Sequence, residues 1–293
     1  MNRRTFFLLI ISLVMVTHTS LASSVELQGW QGTEMKAPQR HTSLASSVEL
    51  QGSFTQGGML VGSTEPGNRV LLDDVAIAVT DKGQFVFGFG RDAKLSHSLD
   101  IVRKDGTRTR QSIKIKKRKY DIQRINGIPR KMMQPSKKTL ERTRAEAWLV
   151  KKARNVFTRQ THFLDGFIPP LKGRITGVYG SQRIFNGEPR RPHFGLDYAA
   201  PIGTVVKAPA SGVVSLVHND MFYSGGTLIV DHGMGISSTF IHLEKILVKK
   251  GDIIKQGDKI ALVGTTGRST GPHLDWRVNW FQVRLDPALL VSR

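Results

Sequence analysis

From Val48 to about Tyr120 the chain alternates short apolar runs with turn signals, and each run has the length of a strand. The stretches GSFTQGGMLVGSTEPG, RVLLDD, VAIAVTDKGQFVFGFG and SLDIVRKDGTRTRQSIKIKKRKYDI break at Pro-Gly, Asp-Lys-Gly and Lys-Asp-Gly, residues whose backbone preferences suit hairpin turns. Strands at this spacing predict a small immunoglobulin-like β-sandwich over residues 48–128. Within Ser112–Lys116 the period of two turns Ile113 and Ile115 inward and Lys114 and Lys116 outward. A linker follows, and Pro135-Ser136 opens a helix predicted to run to about Phe157. Leu140, Ala147, Val150, Ala153 and Phe157 lie near one side of it. Docking of that stripe on a domain is the favoured reading, and peripheral contact with anionic lipid the lesser one. Residues 165–293 return to β character, with strands predicted at 175–179, 204–208, 212–217, 226–230, 238–242, 259–263 and 273–278, punctuated by Gly or Pro. The fold class expected is mainly β: two β domains joined by a basic helical linker over 129–164.

The N-terminus changes the picture of where the protein works. Arg3 and Arg4 precede a 12-residue apolar run, Thr5–Val16, and small residues follow at Ser20 and Ala22. This is the pattern of a secretory signal peptide over 1–22, and its apolar core is short for a membrane span. Export to the periplasm or cell envelope is the expectation. HTSLASSVELQG then occurs identically at 18–29 and 41–52, which reads as a segment duplication. Residues 23–47 are read as a flexible leader without assigned function, with a second candidate cleavage point after Ala45.

The formal charge of +20 over 293 residues is concentrated in the middle: residues 103–160 hold 20 Lys/Arg against 4 Asp/Glu. Such a segment suits a polyanionic neighbour. With export expected, nucleic acid is disfavoured and anionic envelope polymers fit better. The chain has no cysteine, so disulfides and a cysteine nucleophile are excluded, and any metal must take nitrogen and oxygen ligands.

Candidate chemistry clusters between Arg191 and Trp276. RPHFGLDYAAP places His193 and Asp197 four apart, STGPHLDWRV places His273 and Asp275 two apart, and STFIHL supplies His242 between them. Two His/Asp pairs and a further histidine on turn-rich β sequence are what a single-metal hydrolytic site needs. Alternation aims His273 and Asp275 at one face of a strand, with Leu274 and Trp276 on the other. His193 and Asp197 would lie roughly 13 Å apart on a straight strand, so the chain must bend between them, and Gly195 is read as permitting the bend. The remaining histidines carry blander expectations: His232, in VDHGMG, a hydrogen-bonded structural role; His97, His162 and His218, surface or packing.

The run from YGSQRIFNGEPRRPHFGLDYAAP through GGTLIVDHGMG and STFIHL to KIALVGTTGRSTGPHLDWRV resembles the lysostaphin-type, LytM-like zinc metallopeptidases that cut peptidoglycan cross-links. The resemblance covers about 165–290. It implies a LytM-type β-sheet peptidase domain over 165–293, peptidoglycan as substrate, one Zn²⁺ ion held by His193 and Asp197, and His242 and His273 flanking the catalytic water. One position departs, because Asp275 stands where the family has the second histidine of HxH as third metal ligand. Carboxylate oxygen is an accepted zinc ligand, so Asp275 is read as an exchanged ligand. With Asp197 it would bring the donor set to a charge of −2, and harder ions such as Mn²⁺ become better competitors.

Two other readings compete: a degenerate LytM-like protein that binds the wall or activates another hydrolase, and a lipoyl- or biotinyl-type carrier suggested by KKGDIIKQGDKIALVG. Degenerate members lose several site residues, and here four of five are kept. The carrier reading lacks a flanked lysine at a hairpin tip.

Overall fold

The computed structural model describes residues 48–129 and 135–291. The expected signal peptide at 1–22, the leader at 23–47 and part of the linker lie outside them. The protein is mainly β, with one α-helix among the described residues.

The N-terminal module has seven strands in two antiparallel sheets. Leu50–Gly52, Met59–Ser63 and Gln84–Gly88 form one; Val75–Ile77, Arg69–Leu72, Ser96–Val102 and Arg108–Lys114, in that order, form the other. Leu60, Val70, Phe85, Phe87, Leu99, Ile101 and Ile113 pack between them. Ile113 and Ile115 are buried and Lys114 and Lys116 exposed, as the alternation requires. The apolar run Phe85-Val86-Phe87 needs a further explanation, because a sheet with one wet face would alternate. Its outer residues face the sandwich core, whereas Val86 and Met59 join the core of the second module. The three-stranded sheet is therefore covered on both faces, which is why its sequence reads as continuous.

The second module is built on a ten-stranded sheet. Its main path runs Ile253–Ile254, Gly212–Met221, Gly225–Gly233, Ile236–Ile246, His273–Trp280, Leu196–Ala199, Arg174–Gly177. Trp276, Leu274, Val278, Phe240, Leu228 and Val230 fill its core with no exposure above 1%. The strands expected at 212–217, 226–230 and 238–242 extend to Met221, Gly233 and Ile246. Leu196–Ala199 and Val283–Leu285 were not anticipated, since three- or four-residue strands carry too few alternations to stand out.

The helix spans Lys137–Arg154. Ser136 Oγ caps it by accepting from Thr139 N at 3.1 Å, and Lys151, Lys152 and Arg154 face the negative end of its dipole. Its docking differs from expectation. Ala153 is buried, but Leu140, Ala147 and Trp148 stay exposed, and the mid-helix attachment is polar. Glu146 accepts from Phe222 N at 2.9 Å and Arg142 donates to Asp220 O at 2.6 Å. The apolar stripe is too sparse to bury a face, so charged side chains make the contact.

The two modules meet directly. Arg118 Nη1 lies 2.6 Å from Asp286 Oδ2, Asp286 being 2% exposed, and Asp286 N donates to Gly57 O at 2.8 Å. The strand Ile122–Ile125 pairs in parallel with Gln182–Phe185 of the second module.

Candidate metal centre

Three side chains converge at one end of the sheet. Asp197 and Asp275 are register partners on adjacent antiparallel strands, Leu196–Ala199 and His273–Trp280, so both carboxylates leave the sheet on the same face. His193, in the loop just before Leu196, turns back over them. Its Nε2 lies 3.0 Å from Asp197 Oδ1 and 3.2 Å from Asp275 Oδ2. One ligand atom from each residue falls within 4.8 Å of the others.

Gly195 contributes space. Its φ is not in the left-handed region, and a Cβ there would sit 2.0 Å from Asp275 Oδ1. Gly177 does the same for Asp197, with a Cβ 2.1 Å from Oδ2. Each carboxylate therefore occupies volume that a glycine on the neighbouring chain segment leaves open.

The donor set fits a cation. His193 Nδ1 faces Val178 O at 3.2 Å, an acceptor, so that nitrogen carries a proton and Nε2 is the atom turned toward the two carboxylates. Two carboxylates against one ring nitrogen call for positive charge, either a proton on Nε2 or a cation between the three groups. Asp197 Oδ1 is buried and has no directed hydrogen bond among the described residues, even though His193 is close. Burial by itself would lower the His193 pKa, but the adjacent Asp197 and Asp275 carboxylates outweigh it and carry it up to about 10, the same demand for positive charge expressed through a proton.

Asp275 has a second partner that the sequence reading missed. Arg277, two positions along the strand and on the same face, donates from Nε to Oδ1 at 2.9 Å and from Nη2 to Oδ2 at 2.5 Å. Burial opposes ionisation of Asp275, but Arg277 and His193 keep it charged, well below the usual carboxylate range. The three ligands keep the −2 donor charge expected from the sequence, and Arg277 adds a positive charge beside them. Arg277 offsets one carboxylate, so the two acids and this arginine together carry −1. An i, i+2 Asp/Arg pair on a strand is a readable signal for this contact.

His242 and His273 stand side by side with ring centroids 4.8 Å apart. His242 Nδ1 lies 2.8 Å from Thr266 O and His273 Nδ1 2.8 Å from Gly271 O. Both carbonyls are acceptors, so both rings are protonated at Nδ1 and leave Nε2 free to take a proton. Burial, assisted by the neighbouring His273, lowers the His242 pKa, while its bond to Thr266 opposes this. The backbone of His242 is in the left-handed region, φ +65°, at a register shift between Gly226 and Leu228 of the paired strand. The bulge turns the side chain out of the ladder, and His242 N is satisfied by Ser224 O at 2.8 Å. His232 is fully buried, bonded at Nδ1 to Ser211 O and at Nε2 to Ser238 Oγ, away from this group. His97 packs on Phe89 and bonds to Asp73.

Comparison with known proteins bears on this arrangement: residues 191–287 match the model of Peptidase family M23. The chain carries an M23 domain. Over 114 residues it is 42% identical to a Vibrio cholerae serotype O1 protein named peptidoglycan DD-endopeptidase ShyB, a stretch that is 39% of this chain and 24% of that protein. The Neisseria gonorrhoeae DD-carboxypeptidase/endopeptidase Mpg is 41% identical over 113 residues, 38% of this chain and 26% of that protein. The chain thus spans about a quarter of the length of these curated relatives. A solved structure from Pseudomonas aeruginosa, described as an M23 peptidase, covers 81% of this chain and 94% of its own at 28% identity, with a TM-score of 0.63. That likeness reaches well beyond 191–287, so the M23 domain and much of the N-terminal module recur together.

Proposed function

We propose that the chain is an exported metal-dependent endopeptidase that hydrolyses peptide cross-links of peptidoglycan. The observation that carries this is the convergence of His193, Asp197 and Asp275 beside two histidines with free Nε2 atoms. The names of the relatives point the same way. His193, Asp197 and Asp275 are assigned as ligands of one divalent cation, Zn²⁺ foremost and Mn²⁺ the alternative, which when bound supplies Lewis acidity toward the scissile carbonyl and its attacking water.

The chain's own residues do the rest. His242 Nε2 and His273 Nε2 are positioned to take the proton of the attacking water, each ring fixed by its Nδ1–H bond to a backbone carbonyl. Once protonated, the same Nε2 atoms become donors toward the developing oxyanion and the leaving amine. Arg277 holds Asp275 in place by donating to both of its carboxylate oxygens.

We further assign residues 1–22 as signal peptide, 23–47 as leader, 48–128 as an immunoglobulin-like sandwich, 129–164 as helical linker and 165–293 as the peptidase domain. The sandwich assignment rests on the strand order, three strands facing four. Periplasm or cell envelope is the proposed location, with the exposed lysines and arginines of 103–160 against anionic envelope polymers.

Purified protein, metal-loaded or chelated, incubated with sacculi tests the reading. Metal-dependent release of muropeptides is the expected result. No product from metal-loaded protein favours a wall-binding role without catalysis.

A further inference from the structure

The sheet face that carries the metal centre continues as a row of polar groups. Leu274, Trp276 and Val278 fill the core, so Asp275, Arg277 and Asn279 share the opposite face of their strand. Register sets Thr239 beside Arg277 and Ser237 beside Asn279. Arg284 is the partner of Asn279 on the other side and donates from Nη1 to its Oδ1 at 3.2 Å. Arg154, from the last turn of the helix, is 4% exposed and donates from Nη2 to Thr239 Oγ1 at 3.1 Å. Arg191 and Arg284 both lie against the Phe194 ring, their guanidinium carbons 5.6 and 5.8 Å from its centroid.

This cluster holds more positive than negative charge. Arg277 is committed to Asp275, and among the described residues Arg154, Arg191 and Arg284 form no ion pair. Arg154 Nε and Ser237 Oγ are buried without a hydrogen-bond partner. A buried, half-satisfied guanidinium beside other arginines is costly, and native interiors seldom keep one without compensation. Burial first, and the charges of Arg277 and Arg191 after it, push Arg284 down to about 9 and lower Arg154 well below its usual value. Arginine keeps its proton in this range, so the cost is relieved by an anion and not by deprotonation. Arg191 is exposed and Arg277 and Arg284 partly so, which leaves the cluster open to a ligand from solvent.

We propose that Arg154, Arg191, Arg277 and Arg284 form an anion subsite beside the metal centre that binds a carboxylate of the peptide substrate. The inference rests on the peptidase reading. The Arg277 guanidinium touches Asp275, and Arg154 at Thr239 and Arg284 at Asn279 extend the cluster along the strand from there, so a carboxylate within about two residues of the bond at the metal centre reaches it. The subsite therefore selects peptides with a carboxylate at that separation.

The test uses the full chain and titration calorimetry with three probes: an acetylated D,D-dipeptide with a free C-terminal carboxylate, its C-terminal amide, and inorganic phosphate. The acid is expected to bind at least about tenfold more tightly than the amide, the worth of one charged hydrogen bond. Arg191→Gln and Arg284→Gln, at solvent-accessible positions, should each weaken acid binding by about tenfold without altering Tm. Arg154→Met removes a buried charge, so its Tm should equal or exceed that of the parent while acid binding is lost. Equal binding of acid and amide, or acid binding unchanged in Arg154→Met and Arg284→Gln, overturns the proposal. Arginine-dependent binding of phosphate without binding of the dipeptide acid also overturns it and leaves a free-anion site. Sacculus digestion is read separately: digestion without acid preference removes only the subsite, and acid preference without digestion removes only the peptidase reading.

Discussion

Asp275 is held between His193 and Arg277, with Arg277 donating to both of its carboxylate oxygens and His193 Nε2 3.2 Å from Oδ2. A carboxylate at this position therefore comes with a permanent positive partner. The pair offsets at the centre the negative charge that Asp275 brings.

Arg277→Gln should raise affinity for divalent cations, because a unit charge about 5 Å from the ion opposes binding by several kcal/mol at an effective dielectric near 20. Competition against a fluorescent zinc chelator measures it. Unchanged or weaker affinity would mean that the clamp's positioning of Asp275 outweighs its charge. Asp275→His alone leaves Arg277 without a counter-charge, so it should lower thermal stability by about 1–3 kcal/mol instead of improving the site.

Gly195→Ala and Gly177→Ala each place a methyl within 2.0–2.1 Å of a carboxylate oxygen. The carboxylate must move, and the expected result is loss of bound metal, measured as zinc stoichiometry after dialysis, together with a stability cost of about 1–3 kcal/mol. Retention of full metal content with unaltered stability would show that the strands can spread.

The N-terminal module should matter to the metal centre because it grips the loop that carries His193. Arg91 Nε donates to Gly180 O at 2.9 Å, the Tyr120 ring packs where a Cβ on Gly180 would fall, and Gly180 N donates to His193 O at 2.8 Å. Tyr120→Ala is expected to weaken metal binding by about tenfold with the sheet intact by circular dichroism, the loss of one oriented ligand. Equal metal affinity would confine the module to a tethering role.

Acid should destabilise the fold through His232. Burial holds this imidazole neutral, with its pKa lowered from 6.5 to about 4. A neutral buried histidine contributes stability that is fully present above the unfolded pKa near 6.5 and is lost as pH falls toward 4. The loss amounts to about 3 kcal/mol at most. Urea denaturation at pH 7.5 and pH 4.5 measures it, and His232→Gln should flatten the slope. An identical slope in the variant would assign the acid sensitivity to other groups.

The sequence by itself determined the β character of both modules, the helix start at Ser136 and the five polar residues His193, Asp197, His242, His273 and Asp275 as the candidates. These are local signals: alternation, capping and closely spaced motifs survive in one dimension. It could not determine what depends on register. That Asp197 lies opposite Asp275, that Gly195 and Gly177 leave room for their carboxylates, and that Arg277 engages Asp275 follow only when three strands are aligned. The arginine cluster was still less visible, because Arg154, Arg191, Arg277 and Arg284 are scattered over 131 positions and no motif joins them. Tertiary structure brought them together, and burial changed what their charge demands: exposed guanidinium groups are satisfied by water, whereas buried ones require an anion.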